Sequence, residues 1–116
     1  MNKQLTDTKK LLLFAGLHSL LSAGLDFSTS FSLLISSERD AKLKELIRTL
    51  YDKVVSGSAL WQAMQSGGSF SPLDFGVIRI GEQTGRIDES LQFLSDYYFI
   101  KIWNAIPPST TPNSLH

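Results

Sequence analysis

The side chains with chemical potential crowd into one stretch, Gly81-Glu82-Gln83-Thr84-Gly85-Arg86-Ile87-Asp88-Glu89-Ser90-Leu91. Its carboxylates, Glu82, Asp88 and Glu89, are close enough in sequence to meet around a cation. Calcium-binding helix–loop–helix loops place oxygen ligands at alternating positions, and this stretch does not have that spacing. It also lacks the Gly-Lys-Ser/Thr ending of a phosphate loop. The polar residues between Gly81 and Gly85 do not suit a membrane dimer motif. A structural reading is open beside the chemical one: Asp88 caps a helix, while Glu82 and Glu89 are solvated. No metal and no cofactor is assigned.

Other chemistries have less to work with. Imidazole can come only from His18 and His116. His18 lies among leucines with no acid or base partner nearby in sequence, and His116 is the last residue. Serines are numerous, but none sits in a nucleophile elbow. There are no cysteines, which excludes a thiol nucleophile, thiolate zinc sites and a disulfide scaffold. No catalytic residue is assigned, and the chain is not expected to be an enzyme. The 11 basic residues balance the 11 acidic ones, so the basic excess of a nucleic-acid binder is missing.

The elements that must hold the Gly81 stretch are helices. Almost every segment of the 116 residues scans with helical period. A first helix spans residues 6–22, capped by Thr6 or Asp7, with Leu13, Leu17, Leu20 and Leu21 on one face. Asp26 caps a second, with Phe27, Phe31, Leu34 and Ile35 inward, ending near Ser36. Ser37 or Asp40 opens a third, with Leu43, Leu46, Ile47, Leu50 and Val54 on one side. Lys42, Lys44, Glu45, Arg48, Asp52 and Lys53 lie opposite. Gly57 ends it, and Ser58 is the expected cap of a short fourth helix bearing Leu60, Trp61, Ala63 and Met64.

Ser71-Pro72 opens a fifth helix, with serine as cap and proline where its missing N–H is harmless. Leu73, Phe75, Val77, Ile78 and Ile80 are apolar almost all round, which predicts a central position. Gly85 suits a left-handed turn. Asp88 then starts a sixth helix running to about Trp103, with Leu91, Leu94, Tyr97 or Tyr98, and Ile102 inward. Trp61 and Trp103 are expected as core or edge-of-core anchors. The side chains of Tyr97-Tyr98-Phe99-Ile100 cannot all face inward, so some must be exposed or meet a partner. The expected fold is all-α, a compact six-helix bundle. Residues 1–8 form a lead-in, 9–104 the helical domain and 105–116 a flexible C-terminal tail.

The apolar run free of charged residues near the N-terminus covers residues 11–25, shorter than the ~18 or more of a spanning helix. The same region can be read as a secretory signal, with Lys3, Lys9 and Lys10 as its basic part and Leu21-Ser22-Ala23 at the cleavage point. Asp7 and the continuing helical pattern oppose that reading. It leaves, as an alternative, a secreted or soluble helical interaction protein with a cleaved signal at residues 1–23.

Four motifs, in order, resemble the cytoplasmic domain of the type II secretion system F family, also called the pilus assembly platform family. Leu20-Leu21-Ser22-Ala23-Gly24-Leu25 is similar to the family's Leu-Leu-x-Ala-Gly-Leu. Val54-Val55-Ser56-Gly57-Ser58-Ala59-Leu60 with Ala63 resembles Val-x-x-Gly-x-Ser-Leu-x-x-Ala. Phe70-Ser71-Pro72-Leu73 resembles Phe-Pro-Pro-Leu. The most specific is Gly81-Glu82-Gln83-Thr84-Gly85 with Ile87-Asp88-Glu89 and Leu91, which resembles Gly-Glu-x-Ser/Thr-Gly-x-Leu-Asp-Glu-x-Leu. The likeness spans about residues 9–100. It departs at Ala15-Gly16, where the family often has Arg-Gln, and at Asp26, where it usually has proline.

The resemblance implies a six-helix domain on the cytoplasmic face of a bacterial inner membrane, without enzymatic activity. It would act by protein–protein contact, coupling an assembly ATPase to pilin polymerisation in secretion, pilus or competence systems. Its partners would be that ATPase and other inner-membrane assembly proteins, and a homodimer is the default self-association. Family members carry two such domains and about three membrane helices. The resemblance thus implies an excised fragment or a shortened member, with membrane association only through segments outside this chain. The expected contact residues are Glu82, Gly85, Asp88, Glu89 and Tyr98, together with the charged face of the third helix.

Overall fold

Four of the six helices, the first, second, third and fifth in chain order, begin where a short polar side chain takes up an orphan backbone N–H. In the computed structural model, which describes residues 4–108, Thr6 accepts from the N–H of Lys9 and opens α1 (Asp7–Ser22). Asp26 accepts from Thr29 and opens α2 (Phe27–Ser37). Asp40, not Ser37, accepts from Lys42 and Leu43 and opens α3 (Ala41–Val55). α4 (Leu60–Ser66) follows, then α5 (Pro72–Thr84) and α6 (Ile87–Ala105). Ser71 and Asp74 form a reciprocal box at the start of α5: Ser71 Oγ accepts from the Asp74 N–H, and the Asp74 carboxylate accepts from the Ser71 N–H. There are six helices and no strand among the described residues.

The buried faces follow the apolar periodicity. Leu13, Phe14 and Leu17 of α1, Phe31 of α2, and Leu43, Ile47 and Leu50 of α3 share one core with Leu60, Ala63 and Met64 of α4. Ile78 of α5 and Leu91, Leu94 and Tyr98 of α6 complete it. α1 and α6 make the most extensive pairing in the molecule.

α5 is not the central helix its composition predicts. Only Asp74, Ile78 and Gly81 of α5 are buried, and Ile80 is 63% exposed. The core is built on α1 and α6 because they are long enough to cross it and carry full apolar faces, whereas α5 packs against α4 and α6 from one side. Trp103 is likewise exposed, while Trp61 is partly buried against the core. The expected tail beyond Pro108, the terminal His116 and residues 1–3 lie outside the described residues. Of the lead-in, Leu5 donates its N–H to the carbonyl of Ser69 at 2.9 Å.

Candidate functional site

The Gly81 stretch folds as a helix–turn–helix corner in which two glycines have different tasks. Gly85 ends α5 with φ 72° and ψ 22°, the left-handed conformation that a Cβ penalises. This reversal lets the N–H of Arg86 reach the carbonyl of Gly81 at 2.8 Å and closes the helix end. Gly81 is needed for space. A Cβ placed there would lie 2.2 Å from Ser90 Oγ and 2.8 Å from Ser90 Cβ. Ser90 uses that proximity to donate its hydroxyl to the Val77 carbonyl at 2.9 Å. α5 and α6 are pinned together within one turn of the corner.

Asp88 does not cap α6, contrary to expectation. Arg86 occupies the cap position with no side-chain cap bond, and Asp88 and Glu89 lie inside the first turn. There their carboxylates complement the positive end of the helix dipole. Both side chains are exposed, as are Gln83, Thr84, Gly85 and Arg86. Arg86 and Glu89 approach to 3.7 Å at the surface, a separation that contributes little to stability.

Glu82 departs from the expectation of a solvated carboxylate. It turns inward, and its two oxygens accept the N–H groups of Leu60 at 2.9 Å and Trp61 at 2.8 Å. It therefore does from another helix what the expected cap, Ser58, does not do locally. The residue before α4 is Ala59, which has no side-chain oxygen, and Gln62 adds only one acceptor for the Ala59 N–H. A carboxylate at a helix N-terminus meets unpaired donors and favourable dipole charge together. On the same side, Arg79 stacks its guanidinium 4.6 Å from the centroid of the Trp61 ring.

Tyr98 is the contact candidate that the fold withdraws from the surface. It is 2% exposed, whereas Phe99 and Ile100 are more than half exposed. Its hydroxyl donates to Asp74 Oδ1. Asp74 Oδ2 pairs with Lys10 Nζ at 2.7 Å, with both side chains almost wholly buried. Lys10 also donates to Gln4 at 3.0 Å and lies 3.3 Å from the Tyr98 hydroxyl. Burial, reinforced by the hydrogen bond to Asp74, pushes the Tyr98 phenol well above its ordinary range. This cluster ties α1, α5 and α6 together. Sequence reasoning missed it, although there was a signal: Lys10 shares a helical face with Leu13, Phe14 and Leu17, and Asp74 with Ile78 and Gly81.

Among the described residues, no group of His, Asp and Glu is arranged to hold a metal ion. The Nε2 atom of His18 lies 3.4 Å from Ser22 Oγ at an exposed position. Of the charged face of α3, Lys53 donates to Ser66 at 2.7 Å, and Lys42, Glu45, Arg48 and Asp52 are exposed. No helix of the described residues is long and apolar enough to cross a membrane. What this site offers chemically is a rigid corner presenting mixed charge.

The chain is similar in sequence to known proteins across this region. The profile of the family described as type II secretion system (T2SS), protein F, matches residues 15–102, which include the whole corner. A type II secretion system protein F of Xanthomonas campestris pv. campestris is 33% identical over 82 residues, covering 70% of this chain and 20% of the relative. The type 4 fimbrial assembly protein PilC of Pseudomonas putida is 35% identical over 80 residues, 68% of this chain and 20% of the relative. A protein transport protein HofC homolog of Escherichia coli K12 is 27% identical over 77 residues, 66% of this chain and 19% of the relative. The chain spans about a fifth of the length of these relatives.

Proposed function

This chain belongs to the type II secretion system protein F family, and from that premise we propose that it is a cytoplasmic domain of an inner-membrane platform protein. It acts by protein–protein contact and not by catalysis. Its task is to couple an assembly ATPase to the polymerisation of pilin-like subunits. The names of the relatives, which speak of secretion, fimbrial assembly and protein transport, support this reading.

The observation that carries it is the division of labour at the corner of residues 81–91. Glu82, Gly81 and Ser90 point inward and fix the turn. Gln83, Arg86, Asp88 and Glu89 point outward on that fixed frame. A rigid corner transmits force to a partner without first being ordered by it. Exposed charges of both signs give such a contact specificity more than raw affinity.

The test is binding of the purified chain to the assembly ATPase of its own system. Reversing the outward charges, with Arg86→Glu and Glu89→Lys, should weaken binding at least tenfold and leave the thermal midpoint unchanged. Binding that is absent in the unmodified chain, or indifferent to these reversals, sinks the corner as the contact site.

A further inference from the structure

Three residues ahead of α1 lie between that helix and the loop joining α4 to α5. Gln4 Oε1 accepts from Lys10 Nζ at 3.0 Å. Leu5 donates its N–H to the Ser69 carbonyl at 2.9 Å and packs its side chain against the core. Thr6 caps α1. Gln4 is exposed, whereas Lys10 is buried. Gln4 therefore stands between a buried ammonium and the solvent.

We propose that Gln4-Leu5-Thr6 is a strap with a seated and a lifted position, and that its seating decides whether the Lys10–Asp74 pair is dry. Lifting the strap admits water to the pair and loosens the first turns of α1 from α5 and α6. A partner that draws residues 4–6 aside softens this part of the bundle without entering the core. Its leverage is its preference for the lifted position. The proposal goes beyond the platform reading and does not depend on it.

The first argument is bonding capacity. A lysine ammonium has three protons to donate. Those of Lys10 face Asp74 Oδ2 at 2.7 Å, Gln4 Oε1 at 3.0 Å and the Tyr98 hydroxyl at 3.3 Å. Asp74 and Tyr98 sit on helices and are buried. Gln4 belongs to no helix. If Gln4 leaves, water must replace it, because a buried charge short of a partner is costly. The strap and water compete for one place.

The second argument is how lightly the strap is held. One backbone bond and one partly buried leucine open locally at far lower cost than the core. The strap is also packed on one side only. Gln4, Leu5 and Thr6 line a cavity of about 330 Å³ with Lys42, Leu43 and Leu46, so they can shift without displacing core side chains. The third argument is the effect of water. The inner side of the cluster is apolar: the Tyr98 ring stacks on Phe14 at 6.1 Å, and Phe14 meets Phe70 at 6.0 Å. The pair attracts strongly while dry and weakly once wetted.

Nitrogen-15 NMR of the lysine ammonium groups in the full chain tests the proposal. Among the described lysines, Lys10 alone is buried, so it should give one ammonium signal in slow exchange with water. Gln4→Met removes the acceptor at similar length and should speed that exchange at least tenfold. Leu5→Gly weakens the seat without touching a partner of Lys10 and should do the same. Thr8→Ala, at an exposed position of α1, should change nothing. Backbone amide exchange separates a strap from a general loss of stability. In Leu5→Gly the amides of Leu13 and Phe14 should exchange at least tenfold faster, while those of Ile47 and Leu50 on α3 keep their rates. A Lys10 ammonium in fast exchange in the unmodified chain overturns the proposal. So does a signal indifferent to both strap variants, or acceleration on α3 equal to that on α1.

Discussion

The ammonium of Lys10 and the carboxylate of Asp74 meet at 2.7 Å in the interior of the bundle, 5% and 0% exposed. They lie 64 residues apart in sequence (74 − 10) and join the first helix to the fifth. Tyr98 and Ser71 take the remaining bonding capacity of the carboxylate. Both charges are thus compensated by partners that only the folded chain supplies.

Breaking this pair should be costly, because one partner is left as an uncompensated buried charge. Lys10→Met is expected to lower the unfolding free energy by ~3–5 kcal/mol. Adding Asp74→Asn removes the stranded charge while keeping one acceptor oxygen, for either the Ser71 N–H or the Tyr98 hydroxyl, so the double variant should be more stable than Lys10→Met alone. Urea unfolding of the four-member cycle measures the coupling. Additive losses would show that the pair does not act as a unit.

Glu82 should behave as a helix cap supplied from a distance. Glu82→Ala removes the acceptor of two N–H groups of α4 and should lower stability by about 1–2 kcal/mol. Glu82→Gln retains one acceptor oxygen and should lose less. Amide exchange at Leu60 and Trp61 locates the effect, since those protons should exchange faster in Glu82→Ala. Unchanged exchange there would assign the loss to another part of the fold.

The two glycines of the corner should fail for separable reasons. Gly81→Ala collides with Ser90 and should lower stability by about 1–3 kcal/mol, with partial recovery when Ser90→Gly opens the space. Gly85→Ala meets no neighbour within 4 Å. Its penalty of about 1 kcal/mol comes from the left-handed backbone, so Ser90→Gly should give no recovery. Thermal unfolding of the single and double variants distinguishes the two.

Stability should fall at both ends of the pH range. The Lys9 ammonium and the N–H groups of Leu43 and Lys42 hold Asp40 below its ordinary value, and the Thr29 N–H does the same for Asp26. Stability from a lowered carboxylate is present above the unfolded value of ~3.9 and is lost as pH falls through the folded one. Tyr98 is shifted the other way. Above the unfolded phenol value of ~10, the unfolded chain releases a proton that the folded chain retains, so stability falls as pH rises. Asp40→Asn should flatten the acid limb of a denaturation-midpoint profile, and Tyr98→Phe the alkaline limb.

Local periodicity carried the helices far because a helix and its cap are made by residues within one turn of each other. Thr6, Asp26, Asp40 and the Ser71-Pro72 pair mark their helices as their chemistry dictates. Where sequence reading went astray, the true partner lay on another element. Ser58 was expected to cap α4, but Glu82 does so from α5. Asp88 was expected to cap α6, but the Gly85 reversal places it inside the first turn. Tyr98 was placed among surface contacts because four large apolar residues in a row cannot all be buried. Nothing local says which of them turns inward.

By itself, then, the sequence determined the helical class, most helix starts, the left-handed turn at Gly85 and the family, since each rests on residues close along the chain. Only the tertiary structure decided which carboxylates are structural. Glu82 and Asp74 have the same charge as Glu89, and what separates them is whether a donor from a distant helix arrives to be capped or neutralised. It also decided that Gly81 must be glycine, because the atom that forbids a side chain there, Ser90 Oγ, belongs to the next helix.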